Sequence, residues 1–433
     1  MVESLDKFEL PKEYSRWHHL AAYSNDGKLI DISDWVDPVH GHGLPLEDVY
    51  IKPMRNFIRY NRKLPYSYVQ LGPTNACNLA CRGCYSTESR SGSTLEFAQI
   101  KSVIEKAAEQ VNQAGSCTAM VSFHGPGEPL SSAKKRGMVL EGIRLCNEYG
   151  LVNRITTNAS FEDDAYLEEL IQSPSLKLIW VSMKAGTKEA YAAYTGKDRF
   201  DQVHHNMELI AHYRKKYNRT DLVLKASTEI TLFCAGETIE AAKFAKRIGF
   251  DVFKPALHSV DFHRVYKEKM DEILQLRKEL KELYDDSFNS LYWEIPKRYS
   301  SHYHADKFPS EFCYAIESRI YFDGNGQISP CIAWLDTKTN EYNFGNISDL
   351  SCFDQTEGVT SFNEQKQSLQ LKLCSGCSDP WVGYFHRWIH DTLKKDINAK
   401  IVKIFDSEIQ EKYPQICDEN VLNDYDSREK YYD

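Results

Sequence analysis

The sequence predicts an α/β protein, a partial (β/α)6 TIM-like barrel followed by a small C-terminal α+β domain. Short apolar runs alternate with helical periodicity from residue 66 to about residue 260, which is typical of parallel βα units. Six such units are fewer than the eight that close a TIM barrel. The chain has 433 residues, so it has room for a smaller domain beside one barrel.

The composition restricts the class of protein. Hydrophobic residues make up 42% and charged residues 27%, ordinary values for a globular chain. The sequence has no apolar run of about 18 residues, and its first residues lack the apolar segment of a signal peptide. We therefore expect a cytoplasmic protein with no membrane partner. The formal net charge of −9 argues against a nucleic-acid partner, because surfaces that bind nucleic acid are normally basic.

The elements of the barrel follow in order along the chain. Apolar runs predict strands over 68–71, 119–123, 154–157, 178–182, part of 222–232, and 251–254. Helical periodicity covers 95–114, about 134–149 and about 237–247. The second of these helices is expected to end at Gly150, because glycine is a common helix stop.

The segments around the barrel have weaker patterns. Residues 1–65 predict an N-terminal cap with little regular structure, and 261–310 a connector that includes a charged helix over about 264–286. Residues 311–390 predict the small domain, with a hairpin whose turn is Asp323-Gly324-Asn325-Gly326. Residues 391–433 predict an acidic C-terminal helix or tail.

Three of the twelve cysteines lie together directly after the first strand. Cys77, Cys81 and Cys84 have C-x3-C-x2-C spacing and fall at the end of a barrel where active sites of such folds lie. Three thiolates can bind three irons of a [4Fe–4S] cluster and leave the fourth iron open. A structural zinc ion is the alternative, but it needs a fourth ligand, and no histidine follows at the usual spacing.

This cysteine motif resembles the signature of the radical S-adenosylmethionine (SAM) enzymes. The resemblance implies that the open iron chelates the amino and carboxylate groups of SAM. It also implies that one electron cleaves SAM to methionine and a 5′-deoxyadenosyl radical, which removes a hydrogen atom from an unactivated C–H bond. One position departs from the family pattern. The usual aromatic residue before the third cysteine is Gly83 here, and the nearest ring is Tyr85, so the adenine contact comes from Tyr85, from the backbone or from elsewhere.

The next strand ends also carry residues that resemble SAM-binding elements. After the second strand, Gly125-Pro126-Gly127-Glu128-Pro129 is similar to the family's Gly-Gly-Glu-Pro element, which holds the SAM ammonium. Glycines allow close approach of the backbone, and a glutamate offers acceptors to a cation. The third and fourth strand ends resemble the positions that contact the ribose and the SAM carboxylate. The cofactor-binding candidates are Gly125, Gly127, Glu128, Thr157, Asn158, Ser182, Lys184 and Tyr85.

A second group of four cysteines lies late in the chain. Its members are Cys313, Cys331, Cys374 and Cys377. Four thiolates make a closed site for a [4Fe–4S] cluster or for zinc, and composition does not choose between them. The Cys313-x12-Gly326-x4-Cys331 pattern resembles the first half of the auxiliary-cluster domains called SPASM and twitch. That resemblance implies a second [4Fe–4S] cluster, as an electron relay, a structural element, or both.

Residues that contact the substrate are harder to identify. The Cys234 thiol follows the fifth strand, where it would act as a hydrogen-atom donor or remain an inert buried cysteine. Residues after the sixth strand and in the connector are candidates because domain interfaces often line ligand sites. Each has an ordinary structural role as its alternative. The substrate candidates are His258, His263, Tyr292, Arg298 and His302.

Three functions are consistent with these motifs. The first is a radical SAM oxidoreductase that oxidises, dehydrates or epimerises a small polar sugar or aminocyclitol, with an electron donor such as flavodoxin or ferredoxin. The second is a radical SAM enzyme that crosslinks or epimerises a peptide. Residues 1–65 show no winged-helix pattern for binding a peptide leader, which argues against it. The third is a non-catalytic iron–sulfur or zinc protein.

Overall fold

The computed structural model describes 18–26, 29–30, 51–60, 65–82, 84, 86, 91–114, 118–232, 235–257, 262–285, 287–290, 319–329, 345–353 and 389–405. Ten of the candidate site residues fall outside these ranges, and the side chain of His263 is also not described. The ten are Tyr85, Cys234, His258, Tyr292, Arg298, His302, Cys313, Cys331, Cys374 and Cys377.

Strands of two sheets account for the β structure in the described residues. They are β1 His18–Tyr23, β2 Leu29–Ile30, β3 Tyr68–Leu71, β4 Met120–Phe123, β5 Val152–Thr157, β6 Leu176–Lys184, β7 Val223–Ile230, β8 Val252–Leu257, β9 Arg319–Phe322, β10 Ile328–Ser329 and β11 Lys400–Phe405. In the described residues the longer helices are α1 Lys52–Tyr60, α2 Phe97–Ala114, α3 Ala133–Glu148, α4 Asp164–Gln172, α5 Lys188–Thr195, α6 Phe200–Lys216, α7 Thr238–Ile248 and α8 Phe262–Leu283. Residues 389–395 are also helical, and Ser351–Phe353 form a short 3-10 helix.

The larger sheet has eight strands in the order β10-β9-β3-β4-β5-β6-β7-β8. From β3 to β8 neighbouring strands are parallel and follow the chain order. This confirms the predicted partial barrel of βα units. The predicted hairpin is also present, and its first strand β9 pairs in parallel with β3. The hairpin therefore extends the barrel sheet.

The two faces of the barrel strands differ in polarity because successive side chains of a strand alternate. The outward face packs on the helices and is apolar, with Val69, Val121, Ile155, Ile179 and Leu224 in one hydrophobic core. The helices supply matching apolar stripes. In α2 the buried residues follow helical spacing: Ile100, Val103, Ile104, Ala107, Ala108, Gln110 and Val111. No helix among the described residues is long and apolar enough to cross a membrane.

The two ends of the described chain form a second, smaller sheet. β1 pairs antiparallel with β11, with His18 opposite Phe405, and also with β2. The expectation of little regular structure in residues 1–65 was wrong for β1, β2 and α1. Within the predicted C-terminal helix or tail over 391–433, residues 391–395 are helical, but Lys400–Phe405 form the strand β11. The pairing of β1 with β11 joins segments that are far apart in sequence, so neither has a local signal strong enough to reveal it.

The hairpin turn docks on the start of the cysteine loop. The buried Asn75 side chain accepts a hydrogen bond from Gly324 N (2.8 Å) and donates one to Asp323 Oδ2 (3.1 Å). A Cβ at Gly324 would lie 2.4 Å from Asn75 N, so a larger residue does not fit. The backbone adds a bond from Gly72 N to Phe322 O (2.7 Å). The hairpin thereby fixes the segment that leads to Cys77.

We predict that Asn75→Ala lowers the free energy of unfolding by about 2 kcal/mol, because it leaves the buried Gly324 N–H without a partner and removes one of the two hydrogen bonds to Asp323 Oδ2. Asn325→Ala is the matched control: Asn325 also donates to Asp323 Oδ2 (3.1 Å) but is exposed. Its loss should be about 0.5 kcal/mol or less. Chemical denaturation of both variants measures the difference, and equal losses would contradict the docking role of Asn75.

Candidate active site

The three cysteines lie on the loop that follows β3, at the carboxyl end of the barrel strands. Cys81 is buried, and Cys77 and Cys84 are partly exposed. Two backbone hydrogen bonds fix this loop to the end of α5, from Ala80 N to Thr195 O (2.9 Å) and from Arg82 N to Tyr194 O (2.8 Å). The cysteine loop is therefore fixed at two places, by the end of α5 and by the turn of the β9–β10 hairpin.

Polar groups lie close to the cysteine sulfurs. Leu79 N donates to Cys77 Sγ (3.5 Å), and Asn158 Nδ2 lies 3.9 Å from the same sulfur. Ser86 Oγ lies 3.1 Å from Cys84 Sγ and donates to Pro126 O (2.6 Å). Hydrogen bonds to sulfur tune metal-bound thiolates, so these neighbours suit cysteines that bind a metal cluster.

No three Cys, His, Asp or Glu side chains in the described part of the chain converge on one point as ligands of a single metal ion. This does not count against an iron–sulfur cluster, because each cysteine of a cubane binds a different iron. The arrangement therefore stays compatible with the predicted cluster.

The loop after β4 is clamped to the start of the cysteine loop by two backbone hydrogen bonds. Gly127 N donates to Thr74 O (3.1 Å), and Glu128 N donates to Ala76 O (2.9 Å). A Cβ at Gly127 would lie 2.4 Å from Ala76 O and 2.5 Å from Thr74 O, so only glycine permits this approach. Gly125 approaches Gly72 in the same way. In the structure these glycines bring two loops of the chain together.

The buried Glu128 carboxylate connects the loops after β4 and β5. It accepts hydrogen bonds from Thr157 Oγ1 (2.6 Å), Asn158 N (2.7 Å) and Leu130 N (3.0 Å). Burial raises the pKa of Glu128, although these hydrogen bonds favour the charged form. A carboxylate has about four acceptor positions, so most of the acceptor positions of Glu128 are used for hydrogen bonds within the protein.

Asn158 continues these contacts to the cysteine loop. Its Nδ2 donates to Asn78 Oδ1 (2.9 Å), and its Oδ1 accepts from Ser160 N (2.9 Å). Asn78 Nδ2 in turn donates to Ser160 Oγ (3.0 Å). The loops after β3, β4 and β5 are therefore one hydrogen-bonded unit.

Lys184 ends β6 and supplies a positive charge beside the cysteines. Burial lowers its pKa, but the negative charges of Cys81, Glu229 and Cys84 raise it, and the pKa is raised overall. Its φ of 74° lies in the left-handed region, which is uncommon for a lysine. The register with β7 shifts between Ser182 and Lys184. The backbone of β6 therefore changes direction at Lys184. Its ammonium group stays charged at the carboxyl end of the barrel strands, which we call the mouth.

The structure places the described candidates at the same end of the barrel. Hydrogen bonds join Glu128 to the cysteine loop, to Thr157 and to Asn158, and Asn158 also lies near Cys77. Lys184 is close enough to the cysteines for their charges to raise its pKa. Ser182 lies on β6 opposite Ser227 of β7, two residues before Lys184. It therefore belongs to the barrel strand and not to the hydrogen-bonded unit of the three loops.

His124, which directly precedes Gly125, is a further residue of the site that is not among the candidates predicted from the sequence. Its pKa is lowered to about 3, first by burial and then by the charges of Arg154 and Lys184. Its Nδ1 atom is buried without a hydrogen-bond partner among the described residues. Its place beside the Gly125–Glu128 element was the available signal.

Comparisons with known proteins give distant likenesses. No protein-family model matches the chain. A curated relative, an uncharacterized protein of Methanocaldococcus jannaschii, is 28% identical over 149 residues, which cover 34% of this chain and 45% of that protein. The match thus spans less than half of the relative's length.

Similar solved structures were determined with AdoMet or SAM bound. SuiB of Streptococcus suis bound to S-adenosylmethionine has a TM-score of 0.45 and 17% identity, covering 72% of this chain and 71% of that chain. Native anSMEcpe with bound AdoMet has a TM-score of 0.48 and 17% identity, covering 76% and 97%. BtrN in complex with AdoMet and 2-DOIA has a TM-score of 0.36 and 16% identity, covering 72% and 91%. At such scores the functional interpretation depends on the residues of this chain.

We predict that His124 makes the folded protein less stable in mild acid. The folded chain keeps His124 neutral down to about pH 3, whereas an unfolded histidine is protonated near pH 6.5. The unfolded chain therefore binds more protons below that pH, and stability falls as pH falls. His124→Asn should reduce the loss between pH 6.5 and 5 by roughly 1–2 kcal/mol.

Denaturation at the two pH values measures this effect. His205→Asn is the control, because His205 is exposed on α6. An unchanged pH dependence in His124→Asn would contradict the neutral, buried state of His124.

Proposed function

We propose that this chain is a radical SAM enzyme whose Cys77, Cys81 and Cys84 hold a [4Fe–4S] cluster. The observation that carries the proposal is the C-x3-C-x2-C loop at the carboxyl end of β3, fixed to Gly127 and Glu128 after β4. Barrel enzymes assemble their active sites at this end of the strands.

The residues around the loop fit the cluster and SAM. Three thiolate donors from one loop match a cluster with one open iron. Lys184 places a cation near those thiolates, where it can also pair with a carboxylate. The Glu128 carboxylate retains about one acceptor position for an ammonium group. When bound, the cluster and SAM would supply one-electron cleavage of SAM and removal of a hydrogen atom from a substrate C–H bond.

The side chains of this chain then have separate tasks. Lys184 orients a carboxylate at the mouth, and Glu128 orients an ammonium while it holds Thr157 and Asn158 in place. Because Gly127 has no Cβ, its backbone packs closely against Thr74 and Ala76, and this contact fixes the distance between the loops after β3 and β4. His124 stays neutral, so it adds no positive charge beside the cofactor.

We further propose oxidation of a small polar molecule as the net reaction, with dehydration and epimerisation as variants of it. Cys313, Cys331, Cys374 and Cys377 would hold a second [4Fe–4S] cluster that supplies a one-electron acceptor. The substrate would lose a hydrogen atom, a proton and this electron, and a flavodoxin- or ferredoxin-type protein would supply the electron for SAM cleavage. The docking of the β9–β10 hairpin on Asn75 supports this arrangement, because the hairpin lies between Cys313 and Cys331 in sequence. A peptide substrate is the alternative for the same chemistry.

We predict about eight irons per chain after anaerobic reconstitution, and about four in the Cys77→Ala/Cys81→Ala/Cys84→Ala variant, because each cluster holds four irons. With dithionite and SAM, 5′-deoxyadenosine should form only with the parent chain. Cys146→Ala is the control: Cys146 is a buried cysteine of α3 in the apolar core, and its loss should change neither the iron count nor the product.

The outcomes separate the parts of the proposal. Four irons and one zinc in the parent chain would remove the auxiliary cluster and the preference for oxidation. If no reductant gives 5′-deoxyadenosine, the proposal that this chain is a radical SAM enzyme is wrong.

A further inference from the structure

The inner face of the barrel strands carries more basic than acidic side chains. On the strands that the structure describes, alternation from Trp180 and the β-register place four basic residues inward and one carboxylate. The basic residues are Arg154, Lys225, Lys254 and Arg319, and the carboxylate is Glu229. Charged residues are rare in protein interiors, so this interior is unusual for a core.

Three of these cations surround one aromatic ring. From the centroid of Trp180, Lys225 Nζ lies 4.2 Å away, Lys254 Nζ 5.5 Å and Arg154 Cζ 5.5 Å. Trp180 is itself oriented by a hydrogen bond from Nε1 to Ser227 Oγ (2.8 Å). The ring attracts each cation, so Trp180 gathers basic side chains from β5, β7 and β8.

A row of unused hydrogen-bond donors lies beside this cation group. Gln70, Ser122 and Arg154 occupy aligned positions on β3, β4 and β5. Their exposed fractions are 1%, 0% and 7%, yet Gln70 Nε2, Ser122 Oγ and Arg154 Nε have no hydrogen-bond partner among the described residues. The Gln70 amide is oriented because its Oε1 accepts from Tyr68 OH (3.2 Å). Buried donors without partners are rare, so three in one row indicate a missing acceptor.

Solvent contacts the carboxyl end of the barrel interior. Ser182, Lys184 and Glu229, nearer the carboxyl ends of β6 and β7, are partly exposed, whereas Lys225, deeper in the barrel, is fully buried. A ligand that enters at the mouth would therefore reach the cation group with one end while its other end stays near the cysteine loop.

We propose that the barrel interior binds an anionic oxygen group, a carboxylate or a phosphate, through Arg154, Ser122 and Gln70. Because the proposed function places the radical chemistry at the mouth, this group belongs to the substrate, which is therefore a small organic anion. An aminocyclitol would bring an ammonium group towards the Arg154 guanidinium, which would repel it. We therefore expect an acidic or phosphorylated substrate and not an aminocyclitol.

Thermal unfolding of the full-length chain with four probes tests this proposal. Inorganic phosphate and malonate carry the two anionic groups, and ethanolamine and glycerol are the cationic and neutral controls. Either anion or both should raise the melting temperature with concentration, because a ligand that binds the folded state stabilises it. Phosphate alone identifies a phosphorylated substrate, and malonate alone identifies a carboxylate.

Three variants locate the binding site. Arg154→Gln and Ser122→Ala should each weaken anion binding about tenfold or more. Ser122→Ala should leave the melting temperature without anion unchanged or higher, because its hydroxyl makes no hydrogen bond to lose. Arg136→Gln is the control: Arg136 lies over the rings of Phe161 and Tyr166 outside the barrel, and its loss should leave anion binding unchanged.

The failures of the two proposals are distinguishable. No stabilisation by either anion, stabilisation by ethanolamine, or equal anion binding in Arg154→Gln and Ser122→Ala would overturn the anion site. Deoxyadenosine formation measured without substrate reports separately on the cysteine loop. Anion binding without SAM cleavage would leave the site in place and overturn the radical SAM function.

Discussion

Two backbone hydrogen bonds, from Gly127 and Glu128 to the carbonyl groups of Thr74 and Ala76, position the rest of the mouth. They require that residue 127 has no Cβ, since its place is taken by the backbone of the cysteine loop. With Glu128 fixed in this way, its carboxylate reaches Thr157 and the Asn158 amide. One clamp therefore joins the loops after β3, β4 and β5, in addition to the contacts of the cysteine loop with α5 and with the turn of the β9–β10 hairpin.

The electrostatics divide the barrel into two regions. At the mouth, the cysteines and Glu229 raise the pKa of Lys184, and burial with nearby cations keeps His124 neutral. Deeper inside, Arg154 and two lysines gather around Trp180. In the proposed function the reactive C–H bond of the substrate lies at the mouth, and in the proposed anion site its anionic group lies in the interior.

Much of the fold could be predicted from the sequence because parallel strands in a barrel are local apolar runs with clear limits. The predicted strand over 68–71 matches β3, and the predicted hairpin is β9–β10. The parallel pairing of β9 with β3 and the antiparallel pairing of β1 with β11 could not be predicted, because both join distant segments. The left-handed backbone of Lys184 also has no local sequence signal. The polar interior was visible in the alternation of β7, where Lys225, Ser227 and Glu229 interrupt the apolar pattern. The grouping of three cations around Trp180 depends on neighbouring strands and could not be predicted.

The central claim is that the Cys77–Cys84 loop holds an iron–sulfur cluster with one iron open to SAM. Low-temperature electron paramagnetic resonance of the anaerobic, dithionite-reduced chain tests it most directly, in spectra recorded with and without SAM. The account predicts that SAM changes the spectrum of the parent chain, because SAM coordinates an iron that no cysteine occupies. The signal that remains in the triple cysteine variant should not respond. A parent spectrum that is identical with and without SAM would contradict the account.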